Sequence, residues 1–185
     1  MSAIPSGAVQ SAPTTARRAL PASVRGGDIG TAREPRERAV GEMHHASVLK
    51  FLTIHLGQHE REWQIRVLPR QNVQVSPHAT RVADLAVARR ETRYESPLAT
   101  PPLLVVEILC DEDRMSGSRE LIEDYVAMGV ETVWVLDPKR RRAYAAEKGG
   151  VLTEERHVLT VEGTPIHVPV RELFSELDEM EFVVE

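Results

Sequence analysis

The sequence predicts an α/β domain with a central mixed β-sheet flanked by helices. Three observations predict it. Residues 103–109 (LLVVEIL) and 131–137 (ETVWVLD) are near-continuous apolar runs, as expected of strands covered on both faces. Between them, residues 112–128 set Ile122, Tyr125 and Val126 on one helical face, so a strand, a helix and a strand follow one another. Residues 43–61 (MHHASVLKFLTIHLGQHER) space Val48, Phe51, Leu52 and Leu56 three and four apart, giving a second helix one apolar stripe.

Taken along the chain, the first forty residues differ from the rest. They hold six Arg, three acids, four Gly and four Pro, and no aromatic residue. Such a composition buries too little apolar surface to offset chain entropy, so residues 1–36 are expected to be a disordered basic arm and residues 37–185 the domain. After the first helix, WQIRVLP and NVQVS each favour strand and end at a breaker, Pro69 and Pro77. RVADLAVAR (81–89) is a third strand, with Val82, Asp84 and Ala86 on one face and Ala83, Leu85 and Val87 on the other. A charged stretch ending in Pro101 and Pro102 loops into LLVVEIL. Gly129 stops the 112–128 helix, and Pro138 ends the next strand. RAYAAE and VLTEE form a hairpin around Gly149 and Gly150, and VPVRELFSEL ends the chain with a short helix.

The 185 residues fit one domain with a tail. Net charge is −5, made of +3 over residues 1–40 and −8 beyond, which excludes a wholesale basic coat for nucleic acid but not a local basic groove. Aromatic residues make up only 4%, so Val, Leu, Ile and Ala must supply the core. A single cysteine, Cys110, excludes a disulfide framework and suits a reducing, cytoplasmic setting. No stretch approaches a membrane span.

Two residues stand out chemically. Asp84 and Glu107 are carboxylates inside otherwise apolar strands. Burying an unpaired carboxylate costs several kcal/mol, so such a group is paired, protonated or bound to a metal. If the strands are neighbours, the two carboxylates converge and need a cation between them. A hard divalent ion such as Mg²⁺ meets that need and binds phosphate as well. The alternative is a salt bridge from each acid to an arginine such as Arg81, Arg89 or Arg114.

The segments VLPRQNVQVSPHATRVADLAVARR and TPPLLVVEILCDEDRMSGSRELIEDYVAMGVETVWVLDPKRRRAY, with VGEMHHASVLKFL ahead of them, resemble the Uma-type putative restriction endonuclease family of the PD-(D/E)XK nuclease superfamily. The resemblance spans roughly residues 37–175. It implies a restriction-endonuclease-like fold, Mg²⁺ or Mn²⁺ held by Asp84 and Glu107 as metal ligands and catalytic acids, DNA as partner, and subunits that can pair as a homodimer. Three positions depart from the family pattern. Ala83 replaces the proline before the strand acid, Arg70 a glutamate of the preceding strand, and Leu121 the helix lysine four residues before Tyr125. A lysine there would orient the attacking water or steady phosphate charge, and leucine can do neither. Arg119 lies two residues from 121 and points off that face. The resemblance therefore implies either an impaired nuclease or a non-catalytic relative.

Other motifs are read more plainly. His55 and His59 have the spacing of two zinc ligands, but Leu56 stands where a zinc protease needs glutamate, so they are taken as solvent-exposed. His44 and His45 open the helix as capping or packing residues, with a substrate or metal contact as the weaker alternative. Lys139–Arg142 forms a solvated turn or a phosphate-contacting edge. Cys110 is taken as a packed free thiol, and Trp134 and Tyr125 as core.

Overall fold

The computed structural model describes residues 35–110, 115–147 and 150–182. Its elements in order are α1 (Pro35–Gly57), β1 (Ile65–Ser76), β2 (Ala79–Arg89), β3 (Leu104–Ile108), α2 (Met115–Met128), β4 (Thr132–Asp137), β5 (Arg142–Ala146), β6 (Leu152–Glu155), β7 (Val158–Thr160), β8 (His167–Pro169) and α3 (Val170–Phe182). Six strands form one sheet in the order β1-β2-β3-β4-β5-β6, and β7 and β8 pair separately. β3 and β4 run parallel at its centre, while every other neighbour is antiparallel. The sheet is therefore mixed, and α2 is the crossover that a parallel pair requires.

Each face of the sheet owns a core. Leu104, Val106 and Ile108 of β3 and Trp134 and Leu136 of β4 pack with Val48, Leu52 and Leu56 of α1 and Leu173, Phe174 and Leu177 of α3. The alternate residues Val105, Val133 and Val135 pack with Ile122 and Tyr125 of α2. Strand alternation thus sends β3 and β4 into both cores, which is why their sequences are apolar throughout. Each fully buried Leu, Val or Ile stabilises the fold by about 1.5–3 kcal/mol.

The end of α2 is set by its glycine. Gly129 adopts φ +100°, donates its N–H to Val126 O over 3.0 Å, and lets Val130 N–H reach Tyr125 O over 3.0 Å. This paired closure satisfies two of the helix's last carbonyls and fixes the turn that carries Tyr125.

Several expectations need correction. α1 starts at Pro35 rather than at Met43, and it ends at Gly57 rather than running on to Arg61. Proline at a helix start costs nothing, because that N–H has no partner in the helix anyway. WQIRVLP and NVQVS are not two strands but one, β1, which runs through Pro69. The proline is admitted because β1 is the outermost strand of the sheet. β7 and β8 have no counterpart in the sequence pattern. They are too short to show periodicity, and only Leu159 and Val168 anchor them in the core. The helix at the chain's end and the β5–β6 hairpin are as expected. The expected disordered arm lies outside the described residues, except that Pro35 and Arg36 belong to α1. Cys110 is exposed, not packed. Among the described residues no helix is long and apolar enough to cross a membrane.

Candidate active site

Asp84 and Glu107 lie level on neighbouring strands where β2 and β3 part. Leu85 pairs with Val106 and Ala86 with Val105, and one more step of the same register sets Asp84 opposite Glu107. The regular ladder ends at that step. In its place Ile108 N–H donates to Asp84 Oδ2 over 2.9 Å, so a side-chain carboxylate does the work of a backbone carbonyl.

Asp84 is buried, and two cations or donors hold its other oxygen. Arg70 Nη1 donates to Oδ1 over 3.1 Å, and His45 Nε2 lies 3.1 Å from the same atom. An ionised carboxylate only accepts hydrogen bonds, so His45 presents its Nε2–H to Oδ1. Burial pushes the Asp84 carboxyl upward. The hydrogen bonds from His45 and Ile108 and the charges of His45 and Arg70 outweigh it and hold the group below its ordinary value.

Glu107 is half-buried and faces α2. Tyr125 OH donates to its Oε1 over 2.8 Å. Burial and the neighbouring charge of Glu107 raise the Tyr125 phenol far above its ordinary value, with a smaller push from Asp84. The hydroxyl therefore stays protonated and remains a donor.

The arginines expected as possible partners are engaged elsewhere. Arg81 binds Asp124 (2.6 Å) and Glu120 (3.2 Å) of α2, and Arg89 binds Glu131 over 3.1 Å. Arg114 lies outside the described residues. Arg70, marked in the sequence only as a departure, is the arginine that meets Asp84. His45, a helix-opening residue in the sequence, reaches Asp84, and Tyr125, in the core as expected, also reaches Glu107 through its hydroxyl. The signal for Arg70 lay in strand register. Pro69 pairs with Leu85 and Gln71 with Ala83, which leaves Arg70 across from Asp84.

Leu121 is half-buried against the α2-side core. Arg119 is exposed and lies 3.8 Å from Glu123, so it does not replace the missing ammonium. His55 and His59 belong to a ring cluster remote in sequence from both acids. His59 stacks on Trp63 with centroids 4.2 Å apart, and His55 Nε2 lies 3.1 Å from His167 O. The basic run after β4 is partly neutralised, with Arg140 on Asp137 (2.7 Å) and Arg141 on Asp178 (2.9 Å).

Among the described residues no cluster of three or more His, Cys, Asp or Glu is assembled for a metal ion. A pair of carboxylates is nevertheless the donor set Mg²⁺ uses, because it binds through one or two carboxylates and keeps several waters. By donor chemistry Asp84 and Glu107 fit a hard divalent cation, with Arg70 and His45 both occupying one oxygen, Oδ1 of Asp84.

Comparison with known proteins agrees with this architecture. A crystal structure described as a putative nuclease belonging to DUF820 from Anabaena variabilis ATCC 29413 superposes with a TM-score of 0.58, at 15% identity, over 83% of this chain and 89% of that one. No curated protein matches the sequence. Residues 36–173 match the Uma2 family model, described as "Putative restriction endonuclease", and the chain belongs to that family.

Proposed function

We propose that the protein is a divalent-metal-dependent endonuclease hydrolysing DNA phosphodiester bonds, with Asp84 and Glu107 as its metal-binding and catalytic carboxylates. The observation that carries this reading is the level placement of two acids on neighbouring strands where the ladder opens. Family membership supports the nuclease class. Asp84 is kept ionised by its donors, and Glu107 is oriented by Tyr125. Mg²⁺ or Mn²⁺ bound there would supply a water of lowered pKa and neutralise charge on a phosphate. The chain's own residues bind and orient. His45 and the Ile108 N–H fix one carboxylate, and Tyr125 fixes the other. Leu121 in the lysine position offers no ammonium there to steady the phosphate, so the rate is low. We read the setting as cytoplasmic, with subunits able to pair on DNA.

A second reading, a non-catalytic nuclease-fold protein with residual metal or DNA binding, is favoured by one observation. Arg70 already neutralises Asp84. Plasmid nicking separates the two. Supercoiled DNA is incubated with Mg²⁺ or Mn²⁺ and wild type, Asp84→Asn or Leu121→Lys. Nicking by wild type that Asp84→Asn abolishes supports the enzyme, and an inert wild type rescued by Leu121→Lys supports the decayed site. Equal nicking by wild type and Asp84→Asn would sink the assignment of the site.

A further inference from the structure

We infer that Arg70 is a resident counterion that competes with the divalent ion, so that metal binding at Asp84 requires the guanidinium to leave. The inference rests on the reading of Asp84 as a metal ligand and adds what controls its loading.

The first argument is placement. Arg70 stands across from Asp84 in the β1–β2 register and adopts φ +53°, a left-handed conformation that a non-glycine residue in a strand rarely takes. Such a conformation persists only where surrounding structure imposes it. Here the flanking pairs Pro69–Leu85 and Gln71–Ala83 stay in register, and the odd residue between them delivers its side chain to the carboxylate.

The second argument is asymmetry. The Asp84 side chain is 10% exposed and is tied to β3 through Ile108 and to α1 through His45. The Arg70 side chain is 66% exposed. If the pair separates, the long, wet arginine moves and the carboxylate stays. The contact is therefore reversible from one side only.

The third argument is charge. Arg70 Nη1 lies 3.1 Å from Oδ1, within the space a cation bound to that oxygen would need. Arg70 and a divalent ion cannot share it without strong repulsion. Removing the guanidinium charge should tighten metal binding by about tenfold or more, given the size of unit-charge interactions a few Å apart near a protein surface.

Mn²⁺ binding, read by the loss of the free-ion paramagnetic resonance signal at constant pH and without DNA, tests this. The proteins are wild type, Arg70→Gln, Asp84→Asn and the double variant, each checked for cooperative unfolding. The expected result is weak binding by wild type, at least about tenfold tighter binding by Arg70→Gln, and loss in both proteins lacking Asp84. Equal affinity in wild type and Arg70→Gln, with loss in Asp84→Asn, overturns the counterion and leaves the site reading intact. Affinity unaffected by Asp84→Asn, or no binding by any variant, overturns both. Should Arg70→Gln not fold, wild type alone decides. On titration with Mg²⁺, the ¹⁵N signal of the Arg70 guanidinium shifts toward its solvated position if the inference holds, and an unmoved signal at saturating Mg²⁺ refutes it.

Discussion

Tyr125 OH donates to Glu107 Oε1 over 2.8 Å, and this bond crosses from α2 to β3 within the core on the α2 side of the sheet. It couples the orientation of a candidate catalytic acid to the packing of a helix. Tyr125→Phe keeps the ring and removes the donor. Hydrogen bonds to charged groups contribute about 1.5–3 kcal/mol, so the urea midpoint should fall by that equivalent with an unchanged m-value. An unchanged midpoint would mean that the bond is not formed in solution.

Acid should weaken the fold through Asp84. Its carboxyl is held below the ordinary value despite burial, by His45, the Ile108 N–H and Arg70. A depressed folded value means the stabilisation is present in full above the unfolded value of about 4 and is lost as pH falls through the folded one. The stability gap between wild type and Asp84→Asn should therefore be widest near neutrality and shrink below about pH 4. Urea titrations at a series of pH values measure it. A gap that stays constant into acid would contradict the assignment.

Two glycines should respond with opposite signs. Gly129→Ala forces a side chain into φ +100° and brings its Cβ 3.6 Å from Pro101 Cγ. It should cost about 1 kcal/mol or more and loosen the end of α2 that carries Tyr125. Gly57→Ala closes α1 in open space and should stabilise by about 0.4–1 kcal/mol, because it restricts the unfolded chain. Thermal melts of the two variants compare them directly.

Asp137 closes the turn between β4 and β5. It is buried, its Oδ1 accepts Arg140 N–H over 3.0 Å, and its Oδ2 accepts Arg140 Nη1 over 2.7 Å. Asp137→Ala should cost about 1–3 kcal/mol through the lost backbone bond. Arg140→Ala keeps that backbone bond and should cost less. If the two variants melt together, the guanidinium rather than the turn closure carries the effect.

The sequence made part of this legible, for definable reasons. β3 and β4 are buried on both faces, so their apolar runs were unmistakable, and Glu107 stood out against one of them. Asp84 stood out in the same way on β2. Their proximity followed once β2 and β3 paired. Their partners were hidden because each comes from a different element. Arg70 required the β1–β2 register, His45 required the docking of α1, and Tyr125 looked like any core aromatic until its hydroxyl was located. β1 continues through Pro69, a continuity hidden because a breaker signal cannot tell an edge strand from a strand's end. β7 and β8 have three residues each, below the length at which alternation can be seen.

The bond from Ile108 N–H to Asp84 gives that aspartate a second occupation. It splices β3 onto β2 where backbone pairing has run out, so the residue would be needed by a copy of this protein that performed no chemistry. Asp84 on its own is therefore a poor marker of an active member among related chains.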